Sequence, residues 1–100
     1  MNLQDVLNIE EGAETDLEYF RSLQRAINSG SAWSMQGSMG RSMMAAIEDG
    51  RCLLGPLPAR DYWGNYIPSR KQVKTGTKGS KAFVAKYRGK DWASQMSKVK

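Results

Sequence analysis

Gly76-Thr77-Lys78-Gly79 is a G-x-x-G loop with a base inside it, and Ser80 follows at the head of a helical apolar pattern. Glycines let a backbone approach a phosphate closely, and a helix N-terminus adds free N–H donors. Gly76, Gly79 and Ser80 therefore form a candidate anion loop of the kind that clamps a nucleic-acid backbone. A plain turn explains the same spacing. The apolar helix that should precede such a loop is replaced by a hairpin pattern and Pro68. The loop is not a phosphate-cradling Walker sequence, because the glycine spacing before Gly-Lys-Ser/Thr is absent.

The second chemical signal is charge. Residues 1–50 carry three bases and eight acids, whereas residues 51–100 carry twelve bases and two acids. No acid stands between Asp61 and Asp91, yet Arg70, Lys71, Lys74, Lys78, Lys81, Lys86, Arg88 and Lys90 all fall there. Such a split points to a polyanionic partner. The alternative is that the acidic half covers the basic one, with Glu10, Glu11 and Glu14 as the internal candidates. Aromatic rings interleave with the bases: Tyr62, Trp63, Tyr66, Phe83, Tyr87 and Trp92. Bases attract phosphates and exposed rings stack on nucleobases. Phe83 and Trp92 read as core, whereas Tyr62, Trp63 and Tyr66 around a hairpin tip read as exposed. The candidate partner surface is thus Arg70, Lys71, Lys74, Lys78 and Lys81, with Tyr62, Trp63 and Tyr66 at its edge.

Composition excludes histidine-based, ordinary zinc and disulfide chemistry; serine-lysine or carboxylate chemistry stays open, but no spacing argues for it. There is no histidine, so the usual general base near neutral pH and the commonest metal ligand are both missing. One cysteine, Cys52, permits no intrachain disulfide and reads as a buried small hydrophobe. No carboxylate pair has catalytic spacing; Arg60, Asp61, Glu48 and Asp49 read as surface charges. The expectation is a non-enzymatic protein with no metal and no cofactor. Leu3, Val6, Leu7 and Ile9 are expected to pack as one small face; Met1 to Asp5 has no basic n-region and no apolar h-region of a signal peptide, and the longest apolar run, Met43 to Ile47, is too short to span a bilayer. A reducing, cytoplasmic compartment is the expected location.

The elements that must position these residues follow from pattern and caps. One hundred residues suit one domain. Residues 1–14 read as a short helix or a flexible N-terminal arm broken at Gly12. Thr15 and Glu18 form a capping box ahead of Leu17, Phe20, Leu23 and Ile27, which share one helical face, and Gly30 is the stop. A second helix is expected between Ser31 and Asp49. Within it Ser34, Ser38 and Ser42 precede Met35, Met39 and Met43, and Ile47 continues the stripe. Gly37 and Gly40 would let another backbone come close, or else Ser38 is the true N-cap and the glycines belong to a loop. The methionine stripe reads as core, with an adaptable binding surface as the alternative. Gly50 ends this helix. Arg51 to Leu54 suggests a short strand, and Tyr62 to Ile67 a tight hairpin around a Gly64-Asn65 turn. Ser80 caps a helix containing Phe83, Val84 and Tyr87, stopped by Gly89. Asp91 caps another with Trp92, Met96 and Val99, and residues 97–100 fray.

The predicted fold is α+β and α-rich: two main helices packed face to face, an aromatic hairpin and short C-terminal helices. Leu17, Phe20, Leu23, Ile27, Met39, Met43, Ile47, Leu53 and Phe83 are the expected core. The stretches Gly37-Ser38-Met39-Gly40-Arg41 and Asp61 to Arg70, in so short a chain, resemble in general cast the small accessory proteins encoded by bacteriophages. That resemblance implies a bacterial cytoplasm and a target that is a host machine or nucleic acid. Two functions follow as expectations. One is a nucleic-acid-binding accessory protein that grips the phosphate backbone through its C-terminal half. The other is an inhibitor or modulator of the anti-defence, anti-CRISPR-like kind that docks on a host protein, and exposed Met or Trp beside the basic patch would mark it.

Overall fold

Helix α2 (Asp16–Ser29) contributes Leu23, Ala26 and Ile27 to the buried core. The computed structural model describes residues 2–35 and 38–100. Thr15 caps α2 as expected, its Oγ1 accepting the Glu18 N–H at 3.1 Å. The return bond from the Glu18 side chain is not formed. A full capping box occurs one helix earlier: in α1 (Leu3–Glu11), Asn2 Oδ1 accepts the Asp5 N–H at 2.9 Å and the Asn2 N–H donates to Asp5 Oδ2 at 3.5 Å. Of helix and arm, residues 3–11 take the helix. Asp5 fixes it onto α2 through Arg25, 2.6 Å away.

The expected helix between Ser31 and Asp49 is divided. Gly30, at φ +75°, stops α2, and a 3-10 turn (Ser31–Ser34) carries Trp33 into the core before α3 (Ser38–Glu48) begins. The stripe therefore splits: Met39, Met43 and Ile47 are buried, while Met35 precedes α3 and stays exposed. Gly37 lies outside the described residues.

Arg51-Cys52-Leu53-Leu54 is not a strand. Cys52, Leu53 and Leu54 are fully or nearly buried, and side chains replace the missing sheet partner. Gln24 Oε1 accepts the Leu53 N–H at 2.8 Å and Gln24 Nε2 donates to the Leu53 carbonyl at 3.0 Å. Buried peptide groups must be paired, and an amide side chain presents the same donor and acceptor as a neighbouring strand. Burial pushes the Cys52 thiol up to about 12, which makes it inert, as its reading as a small hydrophobe requires.

The hairpin is β1 (Ala59–Arg60) paired antiparallel with β2 (Tyr66–Ile67), in register Ala59 to Ile67 and Arg60 to Tyr66. Its loop is residues 61–65, so the expected two-residue Gly-Asn turn is replaced by a longer one. Ser80 caps α4 (Lys81–Arg88), accepting the Phe83 N–H at 3.2 Å. Gly89, at φ +94°, stops α4 and itself takes the N-cap of α5 (Lys90–Lys98), so Asp91 lies inside the first turn instead of capping it. Residues 97–99 do not simply fray: α5 reaches Lys98, and the Val99 carbonyl accepts from Asn28 Nδ2 at 2.8 Å.

Leu23, Ile27, Met39, Met43, Ile47 and Leu53 are buried, with Trp33, Val84 and Met96 added to them. Leu17 and Phe20 pack half-buried at the edge of this core, and Phe83 is half-buried too. The fold is a small α+β domain in which helices predominate. No helix among the described residues is long and apolar enough to cross a membrane.

Candidate functional site

The rings at the hairpin tip are exposed as expected: Trp63 is 79% accessible, with Tyr62 and Tyr66 about half exposed. Asp61, expected as a mere surface charge, is what holds them. Its Oδ1 accepts the N–H groups of Trp63 at 2.9 Å and Asn65 at 2.8 Å, and its Oδ2 accepts Asn65 Nδ2 at 3.2 Å. Desolvation pushes this carboxyl up, but those donors outweigh it and hold it below the ordinary aspartate range. Gly64, at φ +84°, supplies the left-handed step the loop needs. The Tyr62 and Trp63 rings meet edge to face, 4.9 Å between centroids. Across the hairpin the Arg60 guanidinium lies over the Tyr66 ring at 5.5 Å.

Tyr66 joins the hairpin to the basic segment, because its hydroxyl donates to Gln72 Oε1 at 2.9 Å. From there Lys71, Lys74, Lys78 and Lys81 are all exposed, and so are Lys86, Arg88 and Lys90 beyond them. Among the described residues the only ion pair on this stretch is Lys78 with Glu48, 4.0 Å apart and more than half exposed on both sides. An exposed pair of that length contributes little. Glu10, Glu11 and Glu14 pair with none of these bases. Lys81 and Lys90 also occupy the first turns of α4 and α5, the end of a helix dipole that disfavours cations.

Arg70 departs from the expected surface. Its Nε donates to the Leu54 carbonyl at 2.7 Å and its Nη2 to Asn28 Oδ1 at 3.0 Å. Burial lowers its pKa from the ordinary arginine value. It anchors the start of the basic segment to the core, and the neighbouring lysines carry the accessible charge.

The anion loop closes on itself. Ser80 Oγ accepts the N–H groups of Gly76 at 3.0 Å and Phe83 at 3.2 Å, and donates to the Thr77 carbonyl at 2.7 Å. The Ser80 N–H is taken by Thr77 and the Thr77 N–H by Lys74. The N–H groups of Gly76, Thr77, Ser80 and Phe83 are thus spent within the turn and the cap. Gly76 and Gly79 are required by backbone, at φ +92° and +93°, and Gly79 also by packing: a Cβ there would lie 2.5 Å from Leu54 Cδ1 and Cγ. Gly79→Ala should therefore lower stability by about 2 kcal/mol through positive-φ strain and overpacking. A denaturant titration checks this, and unchanged stability would refute the packing role.

A groove of about 430 Å³ opens beside the hairpin tip. Trp63 and Tyr62 form one wall; Gly40, Arg41 and Met44 of α3, with Met35, form the other; Trp33 and Ile67 lie at its base. Nothing in the sequence joined these walls, because Met35, Met44 and Tyr62 share no periodicity. Gly40 is notable within α3. It has no positive φ, and a Cβ at that position would meet no atom of the described residues within 4 Å. A helical glycine costs up to about 1 kcal/mol against alanine, so the fold alone does not call for it.

Cys52 is buried, and among the described residues no three of His, Cys, Asp and Glu come together to hold a metal ion. No family model, curated protein or solved structure matches the chain.

Proposed function

We propose that this protein binds the phosphate backbone of nucleic acid through the exposed cations of residues 71–90, without catalysing a reaction. One observation carries the reading: seven exposed bases in this stretch share one weak ion pair among the described residues. Like charges gathered without internal compensation repel one another, and an external polyanion relieves that repulsion. Backbone contacts position a nucleic acid without reading its sequence, so affinity should depend steeply on salt and weakly on sequence.

The test is fluorescence anisotropy of a labelled 20-mer at several salt concentrations. Each lost phosphate contact removes about 0.7–0.9 from the slope of log K against log salt. The triple variant K74A/K78A/K81A should therefore weaken binding on the order of 100-fold at 0.1 M salt, across all sequences. Its stability should match the parent, because these side chains make no strong internal contact. No binding at low salt, or binding with no salt slope, defeats the proposal. Lost stability with intact binding would show that the lysines serve the fold.

A second reading rests on the exposure of Trp63, Tyr62 and Met35. Aromatic and methionine anchors beside a cationic face suit an inhibitor or modulator docking on a host protein. The bacteriophage-like cast of the sequence supports seeking either partner in a bacterial cell. Pull-down from nuclease-treated lysate separates the two: one stoichiometric protein favours the inhibitor, and loss of every partner favours nucleic acid.

A further inference from the structure

We infer that the groove between the hairpin tip and α3 receives an unpaired nucleobase, so that the protein prefers single-stranded over duplex nucleic acid. The inference rests on the backbone-binding reading above and adds the class of strand. Trp63 is the most exposed large apolar side chain among the described residues, yet it is not loosely held. Asp61 fixes the backbone on both sides of it, and Tyr62 supports its ring edge to face. A large, pre-positioned ring is what base stacking requires, since every nucleobase offers a π-face and little conformational freedom is lost on contact.

From α3, Gly40 contributes bare helix and Met44 a thioether chain to the groove lining. Gly40 gains its explanation there. A Cβ at that position meets no atom of the described residues within 4 Å and Gly40 lines the groove, so a larger side chain there would enter it. The charges fit as well. Arg41 is the cation at the groove, while Asp61 has its oxygens turned to the loop's own N–H groups. The Tyr66–Gln72 hydrogen bond ties the hairpin to the segment bearing Lys71 and Lys74. In this inference a strand whose phosphates follow the lysines places an unpaired base in the groove.

The experiment compares oligo-dT of 20 nucleotides with a 20-base-pair duplex, each titrated into the full chain at matched salt. The single strand should bind about 10-fold tighter and quench the exposed tryptophan; the duplex should bind without quenching. Trp63→Phe should abolish the quenching and keep the preference, since a ring remains. Trp63→Ala should lower oligo-dT affinity about 5- to 100-fold while leaving duplex affinity and salt slope unchanged. Gly40→Leu should do the same at unreduced thermal stability, by filling the groove. Duplex and oligo-dT bound equally, with both variants silent, would overturn the inference alone and leave the groove to a protein anchor. Binding of neither at low salt would overturn the backbone-binding reading as well.

Discussion

Gln24→Leu should destabilise the domain by about 3–4 kcal/mol, although the replacement nearly conserves volume and lies on a buried helix face. Gln24 is fully buried, and its amide satisfies both peptide groups of Leu53. Leucine offers neither donor nor acceptor, so one N–H and one C=O are left unpaired in the core. Each costs about 1–3 kcal/mol. The damage spreads, because Gln24 Nε2 also donates to Asn28 Oδ1, which accepts from Arg70 and whose amide holds the Val99 carbonyl. A chemical denaturation curve gives the loss directly. Gln24→Glu should also fail, because a carboxylate has no hydrogen to give the Leu53 carbonyl. A leucine variant as stable as the parent would show that the segment 52–54 is held without the Gln24 clamp.

That clamp also explains where sequence pattern succeeds in this molecule and where it stops. Local signals were readable: the Thr15 and Ser80 caps, the stops at Gly30 and Gly50, and the apolar stripe Leu23, Ile27, Met43 and Ile47 are set by neighbours within a few positions. Patterns assign polar residues outward, and α1 inverts that rule. Leu3 and Leu7 are exposed while Asp5 is buried, since a charge partner on α2 decides the outcome. The strand expected at residues 51–54 failed for the same reason, because its partner is a side chain on another helix. At the candidate site, exposure of Tyr62, Trp63 and Tyr66 followed from their place at a hairpin. Arg70 could not be separated from the lysines after it; only the Leu54 carbonyl and Asn28, 16 and 42 residues away, distinguish it. The opposing wall of the groove was equally hidden, because Met35, Gly40 and Met44 meet the hairpin only in the folded chain.

Asp5→Ala should cost about 3 kcal/mol and carry a pH signature that Gln24→Leu lacks. Asp5 is 1% exposed, and every contact it makes is polar. Arg25 Nε donates to both carboxylate oxygens at 2.8 and 2.9 Å, Ser22 Oγ donates at 3.2 Å, and the Asn2 N–H completes the set. Removing one partner of a buried pair typically costs about 3–5 kcal/mol. Arg25 is one third exposed and can turn partly to water, which places the loss at the low end. Burial by itself pushes the Asp5 carboxyl up, but the hydrogen bonds and charge of Arg25 outweigh it and hold the group below its ordinary range. A carboxyl whose pKa is lower in the folded than in the unfolded state binds protons preferentially when unfolded. Its contribution is therefore complete above the unfolded value, about pH 4, and fades as pH falls towards the folded value. Stability of the parent should thus decline between about pH 4 and pH 2 more steeply than that of Asp5→Asn, which keeps the shape of the side chain and cannot titrate. Thermal melts of both proteins at pH 7, 4 and 2.5 make the comparison. Parallel curves would mean that the charge of the Asp5–Arg25 pair adds nothing to folding, and that α1 is held on α2 by its other contacts, Ile9 packing and the Asn8–Ser22 hydrogen bond among them.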